Sequence, residues 1–344
     1  MLDPTMAGSP KTMPSEMSSG KPAIRIAVII VNFNGGDTLR ACLEALNLQT
    51  RPPNRCLIID NHSTVKPLRG LEPWLKGCEL IHSQKNLGFA AANNLAVRQC
   101  PEADWIAFLN PDAFPEPDWL ERLEKATKDH PKNAFFACKQ LNAALPDLLD
   151  GAGDSLTRGG RPFRRGQHQS AAKSFVTSDK VFSSCGASTF INRSIYEASG
   201  GFDEDFFCYL EDLDLGFRLN LQGHSCRYLP DARVHHLGSA ITGNQSDFST
   251  YHGHRNLFWL YLKNMPAPIF WLYLPQHIGL TFIAFFLCLR RGQGCIFIRA
   301  KWDAIKDLKK FLGKRSKIQR SRTASILAIW KALSPEHSFL LKKN

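Results

Sequence analysis

At 344 residues, 44% of them hydrophobic, the chain has enough apolar mass for one large or two ordinary domains, which excludes an intrinsically disordered protein. Its ten cysteines stand singly, with no Cys-x-x-Cys and no His-x-x-x-His, so neither a zinc module nor a disulfide framework is indicated and a reducing compartment fits. The net charge of +12 sits in the tail: residues 290–344 carry fifteen Lys and Arg against three acids, and the remainder is balanced.

Residues 1–22, rich in Pro, Ser, Gly and Met but without the apolar run of a signal peptide, read as a disordered leader. Ile24 to Val31 is β-branched and nearly continuous in apolar character, as expected of a strand buried on both faces of a parallel sheet. After Asn32-Phe33-Asn34-Gly35-Gly36, Asp37 or Thr38 can cap a helix whose Leu39, Cys42, Leu43 and Leu46 share one face. A second strand, Cys56 to Ile59, ends on Asp60-Asn61. A short run at Leu80-Ile81 leads into Asn86-Leu87-Gly88-Phe89-Ala90, and a further strand, Trp105 to Leu109, ends on Asn110-Pro111-Asp112. Polar residues thus recur just past strand C-termini, where open α/β sheets bind ligands. Neither a Gly-x-Gly-x-x-Gly nor a P-loop follows the first strand, so a nucleotide would be held another way. Asp60 could accept from the imide N–H of a uracil or thymine ring, or cap its loop; Asp112 could meet a metal on a diphosphate, or serve the Asn-Pro-Asp turn.

Beyond Trp119 a helix with Leu120, Leu123 and Ala126 on one face precedes an apolar run from Ala134 to Cys138. Residues 150–169, rich in Gly and Arg and without periodicity, read as a loop over the site in which Arg158, Arg161, Arg164 and Arg165 either meet an anionic acceptor or stay solvated. Val181 to Ile191 is extended, and a short helix from Ser194 leads to an acidic and aromatic stretch, Gly201 to Leu215. There the spacing turns helical at Glu211, with Leu213, Phe217 and Leu221 at i, i+4 and i+8, until Gly223. Glu211, Asp212 and Asp214 therefore open a helix. Either they complement its dipole, worth about 0.3–1 kcal/mol, or one of them, held against Phe206, Phe207 and Tyr209, is a partly desolvated general base. Cys226 to Leu229 and Ala232 to Val234 read as strands that end on His235-His236, a strand-end histidine being a candidate metal ligand.

Five ordered blocks, Val31 to Asn34, Ile58 to Asn61, Asn86 to Ala90, Leu109 to Asp112 and Gly201 to Arg218, resemble the GT-A glycosyltransferases of family 2, above all the rhamnosyltransferase-like branch. The resemblance implies an α/β GT-A nucleotide-diphospho-sugar transferase fold, a Rossmann-like mixed sheet flanked by helices, over residues 23–264. It implies that Asp60 binds the base of the donor, that Asn32, Phe33 and Asn34 line the nucleotide, and that Asn86, Gly88 and Phe89 close over it. Asp112 stands for the last acid of the Asp-x-Asp motif, with Asn110 in place of the first. His236 completes a site for Mg²⁺ or Mn²⁺ with Asp112, and Asp212, next to Glu211, is the catalytic base. Arg255-Asn256 and Lys263-Asn264 match a recurring block for which the residues alone suggest no role.

These residue types suit inverting transfer, a single displacement that needs a base on the acceptor hydroxyl and positive charge on the leaving diphosphate. The expected reaction moves a sugar, rhamnose among the candidates, from a nucleotide-diphospho-sugar to a saccharide or lipid-linked acceptor in cell-surface polysaccharide synthesis. A membrane scaffold that binds the nucleotide-sugar without turnover is the alternative. Pro268 to Leu289 is mostly apolar and, at about 22 residues, long enough to cross a bilayer. Gln276 and His277 interrupt it beside Pro275, and basic tails stay cytoplasmic, so a broken hairpin in the cytoplasmic leaflet is expected. Farther on, Ile298, Trp302, Ile305, Leu308 and Leu312 mark one helical face, with Lys301, Lys306, Lys309 and Lys310 on the others. That pattern fits an interfacial helix on anionic lipid or a basic helix packed on the catalytic domain. The region 265–344 is accordingly expected to be helical and membrane-associated at the cytoplasmic face, and its lack of clustered aromatics speaks against nucleic acid as a partner.

Overall fold

The structure, a computed structural model, describes residues 24–65, 68, 70–238 and 245–335, so the expected leader lies outside the described residues. The chain opens with β1 (Ile26–Asn32), α1 (Asp37–Asn47), β2 (Arg55–Asp60), β3 (Cys78–His82), α2 (Gly88–Arg98) and β4 (Trp105–Leu109). The middle comprises β5 (Ala113–Pro115), α3 (Trp119–Asp129), β6 (Phe135–Asn142), β7 (Leu149–Gly151), β8 (Asp154–Leu156), β9 (Pro162–Arg164), β10 (Lys180–Val181), β11 (Ser188–Asn192) and α4 (Arg193–Ala198). Then come α5 (Glu211–Leu221), β12 (Cys226–His236), α6 (Asp247–Asn264), α7 (Ala267–Arg290), α8 (Gly294–Lys306), α9 (Leu308–Arg320) and α10 (Ile326–Ala332).

Strands β3, β2, β1 and β4 form a parallel half-sheet. β11 runs antiparallel to both β4 and β6, and β12 returns parallel to β6, giving the order β10-β12-β6-β11-β4-β1-β2-β3. All seven residues of β1 are buried because alternate side chains enter different cores. Ile26, Val28 and Ile30 meet Leu39, Leu43 and Leu46 of α1 and Trp119 and Leu123 of α3. Ala27, Ile29 and Val31 join the face covered by Ala92 and Ala96 of α2, Tyr196 of α4, and Leu215 and Leu219 of α5.

A third core explains why α5 is buried nearly all round. Its Leu213, Phe217 and Leu221 turn away from the sheet toward Trp259 and Leu260 of α6, Ala304 of α8, Phe311 of α9 and Ile329 of α10. Residues on both sides of position 264 therefore share one apolar cluster. The break expected at Pro275 is absent: α7 is a single 24-residue helix with that proline inside it. The polar interruption serves the interior instead, for His277 is buried, stacks on Tyr261 at 4.0 Å between centroids and places Nδ1 2.8 Å from the Gly159 carbonyl. Where two strands were expected at the end of the sheet, β12 is one strand with an irregularity between Leu229 and Arg233.

Candidate active site

On the first rim of the sheet, Asn32 and Asp60 end adjacent strands in register. Asn32 Nδ2 donates to Asp60 Oδ1 (3.2 Å) and to Ser63 Oγ (3.1 Å), and Asn32 Oδ1 accepts from the Gly35 amide (3.1 Å). His82, at the end of β3, brings Nδ1 to 3.3 Å from Asp60 Oδ2. Asn34 takes a left-handed conformation (φ 56°), with Oδ1 accepting from the amides of Thr64 and Val65, and Phe33 is half-buried beside it. Asn61 ties this rim to the next loop: Nδ2 donates to Asn86 Oδ1 (2.9 Å) and the Gly88 carbonyl (3.2 Å), while Oδ1 accepts from the Leu87 amide (2.8 Å).

The Asn86 to Ala90 turn leans on the acidic stretch. The Phe207 carbonyl accepts from the amides of Phe89 (2.6 Å) and Ala90 (3.2 Å), two of the donors that a helix start leaves unpaired. Gly88 permits this approach: its φ is +77°, and a Cβ there would lie 2.5 Å from the Phe207 ring and 2.6 Å from its carbonyl oxygen.

Asp112 and His236 meet because β5 pairs with β12, setting Ala113 opposite His236. His236 Nε2 is 3.5 Å from Asp112 Oδ1, and Nδ1 is 2.9 Å from Asp150 Oδ2. Burial would lower the imidazole pKa, but these two carboxylates raise it to about 9. An imidazole aimed at one carboxylate and backed by another is the arrangement that orients a metal-binding histidine. The pair would hold a divalent cation through Asp112 and the Nε2 of His236, which would give up its proton to bind as the neutral imidazole. Asn110 is engaged through its backbone, donating to the Ala187 carbonyl (3.0 Å) and accepting from the Ala113 amide (3.1 Å).

Asp212 opens α5 with part of its surface accessible. Oδ2 accepts from the Gly186 amide and Oδ1 from the Leu213 amide, each at 2.7 Å. Burial raises the carboxyl above its ordinary range, while those amides and the nearby Arg164 pull it part of the way back. A Cβ added to Gly186 would stand 3.3 Å from Asp212 Oδ2 and 3.4 Å from Phe89, so Gly186 fills the space between the carboxylate and the turn expected to cover the nucleotide. Glu211 is different: it is buried, one carboxyl oxygen lacks a hydrogen-bond partner, and burial followed by the charge of Asp212 pushes its pKa well up.

Arg164 corrects the reading of the arginine-rich segment as an acceptor-facing or solvated loop. Residues 154–164 form a hairpin of β8 and β9. Arg164 reaches inward to Asp150 Oδ2 (2.7 Å), Asp154 Oδ1 (3.3 Å) and the Cys185 sulfur (2.7 Å). Arg165 pairs with Asp179 at 2.7 Å, and Arg158 lies over Trp330 of α10 at 3.5 Å. Ligand atoms of Asp154, Cys185 and Asp212 lie within 4.8 Å of one another, and the Arg164 guanidinium already supplies positive charge to that group. Gly151 makes room, since a Cβ there would sit 2.5 Å from Arg164 Cδ.

The recurring block near the end of the domain also has a structural task. Asn256 Nδ2 lies within 2.9 Å of the carbonyls of Phe206, Cys208 and Tyr209, and Arg255 donates to those of Asp205 and Phe206. Lys263 pairs with Asp203 and, at 3.0 Å, with the fully buried Asp214, which also accepts from Asn264 (2.6 Å) and Arg218 (2.9 Å). Sequence reasoning passed over His82, Asp150, Asp154 and Cys185. Only the two acids of Leu149-Asp150-Gly151-Ala152-Gly153-Asp154 carry a signal, as charges set among small residues.

A mixed parallel and antiparallel sheet flanked by helices, with polar residues at its strand ends, is a GT-A glycosyltransferase fold. The chain belongs to glycosyltransferase family 2: the family described as "Glycosyl transferase family 2" matches residues 27–197. It is 27% identical over 265 residues to an N-acetylglucosaminyl-diphospho-decaprenol L-rhamnosyltransferase of Mycobacterium tuberculosis, covering 68% of this chain and 83% of that one. It is 28% identical to the rhamnosyltransferase WbbL of Escherichia coli K12 over 65% of this chain and 87% of that one. Among solved structures, TarS residues 1–349 of S. aureus superposes with a TM-score of 0.54 at 15% identity, covering 92% of each chain. GalNAc-T7 with UDP, GalNAc and Mn²⁺ gives 0.56 at 14% identity over 71% of this chain and 48% of that one. The protein is a glycosyltransferase.

Proposed function

We propose that the enzyme transfers a sugar, rhamnose foremost, with inversion from a nucleotide-diphospho-sugar to a hydroxyl of a saccharide or lipid-linked acceptor in cell-surface polysaccharide synthesis. The observation that carries this reading is Asp212, held by the Gly186 and Leu213 amides, with only Gly186 between it and Phe89. A carboxylate fixed in that way can take the proton of the acceptor hydroxyl as the oxygen attacks the anomeric carbon. Asp60, braced by Asn32 and His82, reads the base of the donor, and the turn through Asn86, Gly88 and Phe89 covers the nucleotide. Asp112 and His236 would hold Mg²⁺ or Mn²⁺, which would supply positive charge to the leaving diphosphate. Rhamnose as the sugar and a lipid-linked acceptor are supported by the names of the relatives from Mycobacterium tuberculosis and Escherichia coli.

Helix α7 supports a place at the cytoplasmic membrane surface. Among the described residues it is the one helix long and apolar enough to cross a bilayer, and only 11% of its most apolar window is buried. Its exposed Trp271, Leu272, Phe282 and Phe286 form, with Ile298 and Trp302 of α8, an apolar crest suited to lie in a leaflet.

The test is turnover of the full chain with a panel of nucleotide-sugars and a lipid-linked saccharide, read as release of nucleoside diphosphate. Asp212→Asn should lower kcat by about two to four orders of magnitude while leaving donor affinity nearly unchanged. A variant that keeps most of its activity refutes the assignment, and full activity in EDTA refutes the metal.

A further inference from the structure

The basic tail was expected to meet lipid or the catalytic domain, and several of its cationic side chains meet the domain. Lys309 is exposed, and Lys306 pairs with Asp303 of its own helix at 3.0 Å. Lys301 donates to the His254 carbonyl at 2.9 Å, Lys310 pairs with Asp205 at 2.6 Å, and Lys314 bridges Asp203 and Asp205. One turn before Lys314, fully buried Phe311 stacks on Trp259 at 4.2 Å and lies 6.5 Å from Phe206. Arg315 donates to the carbonyls of Leu262 and Met265. Helix α9 thus grips both the end of α6 and the acidic stretch ahead of α5.

That stretch is an unusual piece of backbone. Phe207, Tyr209 and Leu210 all lie in the left-handed region, with φ of 64°, 73° and 68°, a conformation that non-glycine residues keep only when their surroundings impose it. Leu210 immediately precedes Glu211-Asp212, and the Phe207 carbonyl caps the turn over the nucleotide. Against the burial that would raise it, Lys263 and Lys314 hold the Asp203 carboxyl well below its usual range, so the clamp stays ionised through the neutral range.

We propose that Lys314, backed by Phe311, is a positioning residue for Asp212: through Asp203 and Asp205 the tail holds the left-handed segment that sets the angle at which the base enters the site. The proposal rests on Asp212 being the base. It assigns α9 a part in catalysis without contact with donor or acceptor.

The experiment compares full-length Lys314→Ala, Lys314→Arg and, as a surface control, Lys309→Ala. Lys314→Ala should lower kcat by about ten- to hundredfold, the usual consequence of a misplacement near 1 Å, with donor KM within about twofold of wild type. Lys314→Arg should recover most of the loss, because it keeps charge and reach; Lys309→Ala should match wild type. Binding to phosphatidylglycerol vesicles should be the same for Lys314→Ala and wild type, since Lys314 faces the protein. Unchanged kcat overturns the proposal, as does a loss confined to vesicle binding, which would make Lys314 a lipid contact. A donor KM that rises in step with the loss, unrelieved by arginine, also overturns it by reducing Lys314 to general scaffolding. An active Asp212→Asn would sink the reading beneath it, whereas an inactive Asp212→Asn beside a fully active Lys314→Ala sinks this proposal alone.

Discussion

Arg164 lies among Asp150, Asp154 and Cys185 and close enough to Asp212 to favour its ionised form. Because burial raises the Asp212 carboxyl above the ordinary range, kcat/KM should climb as pH rises through a value above that of an exposed aspartate, where the base loses its proton. Removing the guanidinium removes an influence that lowers this value. Arg164→Gln should therefore shift the acid limb of the pH profile upward, and a limb that stays put or moves down would show that Arg164 does not act on Asp212. Gly88 allows a second expectation at this scale. Alanine there must adopt a positive φ and overlap Phe207, so Gly88→Ala should impair donor binding and turnover together in steady-state assays. The strand-end Asp60 and the turn residue Asp112 were legible in the sequence because an apolar run that gives way to polar and acidic residues is a local pattern. Arg164 was not, since its partners Asp150 and Cys185 are distant in the chain and nothing local shows an arginine turning inward.

Helix α5 was read from its spacing, with Leu215 and Leu219 taken only as flanking the Leu213, Phe217 and Leu221 stripe, where the fold uses two separate stripes. Leu215 and Leu219 face the sheet and Leu213, Phe217 and Leu221 face the tail. The second stripe has meaning only once α6 and α9 are placed against it, which no local pattern reports. Helix α7 shows the opposite case. Proline, glutamine and histidine within an apolar run imply a break, yet tertiary contacts outweigh that propensity, with His277 stacked on Tyr261. The exposed crest remains testable: Phe282→Glu with Phe286→Glu should weaken partition into vesicles by at least about tenfold, since each exchange forfeits about 1.5–3 kcal/mol of apolar transfer. Co-sedimentation measures this, and turnover of a water-soluble acceptor should be unaffected. Phe311→Ala in α9 belongs to the same scale, with an expected loss of about 3–5 kcal/mol in denaturant unfolding for a buried aromatic side chain.

At the scale of the molecule, the tail is part of the enzyme's interior. Ending the chain at Asn264 would strip Phe311, Ile329 and Leu333 from the third core and both tail lysines from Asp203 and Asp205. Such a truncation should give an unstable protein, seen as loss of a cooperative thermal transition, and would report on folding before it reported on membrane release. The parallel half-sheet could be foreseen from apolar runs that each end on a polar residue, whereas the antiparallel β11 depends on pairing with distant segments and the short hairpin of β8 and β9 carries no alternating pattern. The Phe207 carbonyl has a consequence for how the two substrates bind. It joins the start of α2, on the donor side, to the segment that presents the base to the acceptor, so whatever tightens one end favours order at the other. By thermodynamic reciprocity, a bound donor should raise acceptor affinity by the same factor that a bound acceptor raises donor affinity. Steady-state kinetics should then show synergy between the substrates, each lowering the apparent dissociation constant of the other by the same factor whichever is varied.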